Sequence, residues 1–156
     1  MKLKDFIVEK AICPEIQAVE KKAAIHELVT AMADAGAIES GDVDGLVKAV
    51  MKREEIGSTG IGKGVAVPHS KHSCAKKLTG TLGRSAQGVE FSALDGKPVN
   101  IIFLLVSPPD STGPHIKALE YIFSLLNDED FCRFMMAAEK KKDIVDLLRE
   151  ADQKSG

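Results

Sequence analysis

The apolar positions of this chain change period twice. Between Glu20 and Ala35, Ile25, Leu28, Val29 and Met32 recur at helical spacing, and Gly36 ends the stripe. In "SGDVDGLVKAVMKREE" (40–55), Val43, Leu46, Val47, Val50 and Met51 form one face, with Ser40 or Asp42 placed to cap it. This second helix is expected to run out near Glu55, before Gly57. The period then shortens. "VAVP" (65–68) and "KLTGTLGRS" (77–85) read as strands, and the glycines of the second predict a bulge or a close backbone approach. "VNIIFLLVS" (99–107) is an apolar run of strand length, predicted as a central strand.

After a loop at "PPDSTGP" (108–114) the helical period returns. "HIKALEYIFSLLN" predicts a helix presenting Ile116, Leu119, Phe123 and Leu126; "DEDFCRFMMAAE" and "KKDIVDLLREA" predict two short helices. The order helices, strands, helices implies a layered α/β domain. No repeat or linker interrupts it, so residues 1–150 are expected to form a single domain, with 151–156 a frayed tail.

Composition narrows the function classes. The chain has 156 residues, 44% hydrophobic and 28% charged, with a formal net charge of −2 and lysines mixed among acids. A chain of this length buries roughly 70% of its unfolded surface and needs no staple. No basic patch marks a nucleic-acid binder. No apolar run approaches the roughly 20 residues of a membrane span. "MKLKDFIVEK" lacks a signal-peptide core, and three widely spaced cysteines (Cys13, Cys74, Cys132) do not suggest disulfides. Together these predict a reducing cytoplasm.

The chemistry concentrates in "GSTGIGKGVAVPHSKH" (57–72). Gly57 to Lys63 matches the first seven positions of GxxxxGK[ST], but Gly64 replaces the magnesium-binding hydroxyl. The loop also follows a helix and opens a strand, the reverse of a P-loop. The glycines are wrongly spaced for a dinucleotide fingerprint. His69, His72 and Cys74 are three potential metal ligands. His69-x-x-His72 is not the helical pair of zincins, however, and an extended segment points the two rings to opposite faces.

His69 as a nucleophile toward phosphorus has more support. A neutral imidazole accepts a phosphoryl group on one nitrogen while the other donates a hydrogen bond that fixes the tautomer. The product needs donors. Gly60, Gly62 and Gly64 offer unobstructed backbone N–H groups. Arg53 offers a planar fork. His115, following Pro114 at the expected first helical residue, sits at a positive helix end that predicts a neutral ring. Each residue also has an ordinary reading: His69 as a strand-end histidine, Arg53 as a solvated helix charge, His115 as a solvent-facing first-turn residue. On pattern alone, a cleft with phosphate chemistry is one candidate.

"KREEIGSTGIGKGVAVPHSK" resembles the signature of the enzyme IIA domains of the bacterial sugar phosphotransferase system, of the fructose–mannitol and nitrogen-regulatory type. "LKDFIVEKAI", "ALDGKPVNIIFLLVSPPD" and "HIKALEYIFSLLND" also resemble their counterparts there. The resemblance implies a mixed β-sheet flanked by helices. It implies that His69 is the phosphoacceptor, loaded by an HPr-type carrier and discharged to an enzyme IIB or read by regulatory targets. Arg53 and His115 match the family's active-site arginine and second histidine, and Ser58 and Thr59 match loop positions beside the site. No cofactor is called for. Lys63 stands where many relatives have asparagine, and Ser70 where many have glycine. A free-standing chain of this size suits the nitrogen-regulatory type better than a transport component; a binding module that is never phosphorylated is the third reading.

Overall fold

The computed structural model describes residues 1–155. Five helices and five strands follow in the order α1 (Lys21–Asp34), α2 (Val43–Ile56), β1 (Gly60–Gly62), β2 (Val65–Ala66), β3 (His69–Lys71), β4 (Thr79–Val89), β5 (Val99–Ser107), α3 (Thr112–Leu126), α4 (Glu129–Ala137) and α5 (Lys141–Lys154).

β5 is the centre of a mixed sheet, as its apolar run predicts. β4 pairs antiparallel along one edge, while β2 and β3 both run parallel along the other. β2 covers the first half of that edge (Val65↔Ile101) and β3 the second (His69↔Leu105). Pro68 separates the two strands: it has no N–H for the ladder, but its carbonyl accepts from Leu105 N at 3.1 Å. β1 folds back antiparallel on β2.

Alternation along β5 makes two cores. Ile102, Leu104 and Val106 join Ile25, Leu28, Met32, Leu46 and Val50 of α1 and α2. Ile101, Phe103 and Leu105 join Ile122, Phe131, Met135, Ile144 and Leu148 of α3 to α5, with Leu3 and Phe6. Helices therefore cover both faces, which is why this strand is apolar throughout. The two glycine effects expected in β4 both occur. A Cβ on Gly80 would run into the backbone carbonyl oxygen of Leu104, and the register with β5 shifts between Arg84 and Val89.

The structure corrects several expectations. Residues 1–20 lack periodicity, yet they line the outer edge of β4. Val8 N donates to Gly80 O (2.8 Å), Cys13 N to Leu82 O (3.0 Å) and Ile16 N to Arg84 O (2.8 Å), so no β4 edge is left bare there. α2 starts after a 3-10 turn at Ser40–Asp42, with no side-chain cap. α3 begins at Thr112 rather than Pro114, because proline fits a first turn whose N–H groups lack partners anyway. Its most buried residues are His115, Ala118, Ile122 and Leu126, while Ile116 is 49% exposed.

Of the tail expected to fray, residues 151–154 continue the last helix, and Gly156 lies outside the described residues. α5 continues to Lys154, and buried Asp152 accepts from Leu3 N (2.7 Å), Lys4 N (3.0 Å) and the Tyr121 hydroxyl (2.9 Å). None of the described helices is long and apolar enough to cross a membrane.

Candidate functional site

The end of β2, Pro68 and the start of β3 fix His69. Its Nδ1 lies 2.7 Å from Val67 O. A carbonyl only accepts, so Nδ1 carries the hydrogen, and in the neutral ring Nε2 keeps its lone pair. Half-burial holds the pKa of His69 below its ordinary 6.5; the nearby Arg53 charge adds to this, while the bond to Val67 and the Glu54 carboxylate oppose it.

The first turn of α3 brings the buried His115 ring beside it, with centroids 5.5 Å apart and planes at 59°. His115 Nδ1 is 2.6 Å from Ser107 Oγ, at the end of β5. Its pKa falls from 6.5 to about 4, first through burial and then through the charges of His69 and Lys71. A neutral His115 was expected from the helix dipole; burial is the larger cause. Lys71 follows His69 by two residues, so both side chains leave the same face of β3. Its Nζ donates to Thr112 Oγ1 at the start of α3.

At the C-terminus of α2, Arg53 is half-buried, and its Nη1 donates to Gly57 O at 3.0 Å. The neighbouring Glu54 turns inward. Its side chain is 2% exposed; it pairs with Lys21 Nζ at 3.0 Å and accepts from both Thr59 N (3.1 Å) and the Thr59 hydroxyl. Lys21 also lies 4.9 Å from the centroid of the Phe91 ring. The network reaches His69 by backbone: Val67 N donates to Thr59 O (3.2 Å), and Val67 O holds the ring. Ser58 is engaged in its own turn, accepting from Gly60 N (3.0 Å) and donating to Phe91 O (3.3 Å).

The glycines do not gather round His69 as expected. Lys63 (φ 60) and Gly64 (φ 77) form a two-residue turn joining β1 to β2, in the paired left-handed conformation that matches strand twist. Gly64 O accepts from Asn100 N (2.7 Å), beside the start of β5, and Val65 pairs with Ile101. His69 pairs with Leu105, four residues further on and about 13 Å along the strand. Gly62 and Gly64 thus shape the hairpin tip, and Gly60 packs where a Cβ would meet Ala93 Cβ at 2.8 Å.

Arg53, His69 and His115 are the expected residues that converge. Glu54, Lys21, Lys71 and Ser107 were missed; only the position of Glu54 next to Arg53 gave any hint. His72 Nδ1 accepts from Cys74 N (3.0 Å) in a local turn, and among the described residues no group of three or more His, Cys, Asp or Glu is placed to hold a metal.

Comparison with known proteins agrees with this architecture. The chain is 32% identical over 148 residues to the nitrogen regulatory protein of Bradyrhizobium diazoefficiens, covering 95% of each. It is 31% identical over 153 residues to the fructose-specific EIIABC component of Bacillus subtilis, where 98% of this chain spans 24% of the longer protein. The crystal structure of nitrogen regulatory protein IIA-Ntr from Neisseria meningitidis superposes with a TM-score of 0.82 at 28% identity, over 94% of this chain and 98% of that one. Residues 5–151 match the family described as phosphoenolpyruvate-dependent sugar phosphotransferase system, EIIA 2, and the chain belongs to that family.

Proposed function

We propose that the chain is a phosphoryl carrier of the nitrogen-regulatory type, loaded on Nε2 of His69 by the phosphohistidine of an HPr-type protein in the cytoplasm. The hydrogen bond from His69 Nδ1 to Val67 O carries this reading. It sets the tautomer, and the lowered pKa keeps the ring neutral and nucleophilic at pH 7. The Nε2 lone pair forms the new N–P bond while the donor's P–N bond breaks, returning that electron pair to the donor imidazole. Arg53 and His115 stabilise the transferring group. With the Ser107 hydroxyl donating to Nδ1, His115 offers Nε2–H as a neutral donor. Catalysis is then positioning and charge stabilisation in an in-line transfer. Ser58 and Thr59 act by holding the loop, and Gly60, Gly62 and Gly64 by shaping it.

The near full-length match to a nitrogen regulatory protein favours a regulator. The fructose-specific relative supports a second reading, in which a fructose- or mannitol-type enzyme IIB takes the phosphoryl group onward. Incubation with enzyme I, an HPr-type carrier and labelled phosphoenolpyruvate tests both. One acid-labile label, absent in His69→Ala, is expected. Label that survives mild acid or persists in that variant overturns the carrier reading; rapid loss of label to an added enzyme IIB favours transport.

A further inference from the structure

A groove of about 660 Å³ opens between α3, α4 and α5. On α3 it takes in Tyr121 and Leu125, six and ten residues from His115, about 9 and 15 Å along the helix. Its lining is mixed: Leu125, Phe131, Leu147 and Ala151 supply the apolar part, together with Phe134, which is 54% exposed. Its charged residues are mostly of one sign. Asp128, Asp130, Asp143, Asp146 and Glu150 line it against the single cation Lys154, in a chain whose whole formal charge is −2.

These carboxylates are unequally occupied. Asp128 caps α4, Asp130 pairs with Arg133 (3.0 Å) and Glu150 with Lys154 (3.4 Å). Asp143 and Asp146 have no ion pair among the described residues. Asp143, Asp146 and Glu150 follow one another at three- and four-residue spacing on α5. Like charges so placed oppose each other and weaken the helix that carries them. A cationic partner would relieve that opposition.

We propose that this groove is a docking site for a basic amphipathic helix of a partner protein. Apolar residues at i, i+3, i+4 and i+7 would lie on Phe131, Phe134 and Leu147. Flanking lysines or arginines would meet Asp143, Asp146 and Glu150. α5 is 14 residues long, about 21 Å, which gives the docked segment some three to four turns to run beside it. Neither His69 nor His115 lines the groove, so its occupant need not touch the phosphoryl-transfer centre.

The probe is a fluorescent Leu/Lys helix of about four turns, titrated by anisotropy against the full chain, with a Leu/Glu helix as control. Binding is expected for the basic peptide alone. It should weaken as salt rises and weaken at least about tenfold in the triple variant Asp143→Asn, Asp146→Asn, Glu150→Gln. Phe134→Ala, at an exposed position that leaves the core intact, should also weaken it, and His69→Ala should bind like wild type. No binding, or equal binding by the triple variant, overturns the proposal. So does indifference to Phe134→Ala, which would mean a simple polycation site. Self-association that buries the groove, seen by sedimentation without any peptide, overturns it in favour of a second copy. Circular dichroism confirms that each variant is folded before its affinity is read.

Discussion

Removing the Glu54 side chain should damage both stability and the site. In Glu54→Ala, Lys21 loses its ion-pair partner at 3.0 Å while its own side chain is only 16% exposed. The Thr59 N–H and hydroxyl lose their acceptor in the same step. Breaking a buried pair by removing one partner costs about 3–5 kcal/mol, because the surviving charge stays desolvated. With a urea dependence of about 2 kcal/mol per molar, the midpoint should fall by roughly 1.5–2.5 M with an unchanged slope. Lys21→Met added to Glu54→Ala should recover part of that loss: it removes the orphan charge and keeps an apolar stem against Phe91. Phosphoryl transfer to His69 should also slow in Glu54→Ala under conditions where the variant is folded, since Thr59 and Val67 link the carboxylate to the ring. A midpoint within about 0.5 M of wild type would refute the stability argument. A normal transfer rate in the folded variant would refute the link to His69.

Arg53→Lys should slow phosphoryl transfer in a label time course by an amount equivalent to roughly 1–3 kcal/mol, because an ammonium cannot supply a bidentate fork; a wild-type rate would leave Arg53 a solvated charge. His115→Ala should still accept label on His69 but slowly, and His115→Gln should retain more activity because its amide can donate. His115 also sets an acid sensitivity: the unfolded chain protonates it near pH 6.5 and the folded one only near 4, so stability present above 6.5 is lost as pH falls through that window, by about 3 kcal/mol. Urea midpoints from pH 7 to pH 4 should show this fall, and His115→Gln should flatten it. Lys63→Asn should stabilise the hairpin turn by about 1 kcal/mol, since asparagine tolerates the left-handed conformation better than lysine; a rise of about 2–4 °C in melting temperature is the expected readout.

The elements that were legible in the sequence are those whose side chains alone dictate their surroundings. β5 must be buried on both faces to be so uniformly apolar. The stripe of α1 admits one orientation, and the stripe of α2 places Leu46, Val47 and Val50 in the core while Val43 and Met51 are only partly buried. α3 is harder to read, because Ile116, Leu119, Tyr121, Ile122 and Phe123 supply apolar residues on several sides; the helix turns a histidine and an alanine inward and leaves Ile116 half out. The first twenty residues bury Leu3, Phe6, Ile12 and Ile16, but from short 3-10 turns and irregular backbone bonded to β4, so their apolar positions follow neither the helical nor the strand period. At the site, the histidines and Arg53 were visible because their chemistry is distinctive. Glu54 looked like an ordinary helix-surface acid, and Ser107 like the end of a strand. Both matter through partners outside their own element, Lys21 on α1 for Glu54 and His115 on α3 for Ser107. The glycine loop is read differently for a related reason: alternating glycines suggest an anion cradle, but here Gly60 and Gly62 lie in β1 and Gly64 completes the two-residue turn that reverses the chain.

The bond between Leu3 and Asp152 joins residues separated by 149 positions. Closing so long a loop carries a large entropic cost that local contacts do not share. On a ribosome, where domains assemble from the N-terminus as they emerge, Leu3 N and Lys4 N have no Asp152 carboxylate to donate to until the last helix is made. The helical neighbours of Leu3 and Phe6 on α3 to α5 also come later, although Phe6 O accepts from Gly80 N of β4. The α1–α2 face, whose residues lie earlier in the chain, can settle on the sheet once β5 has emerged. The face made by α3 to α5 is thus the last that can be closed, and the bond between Leu3 and Asp152 closes with it.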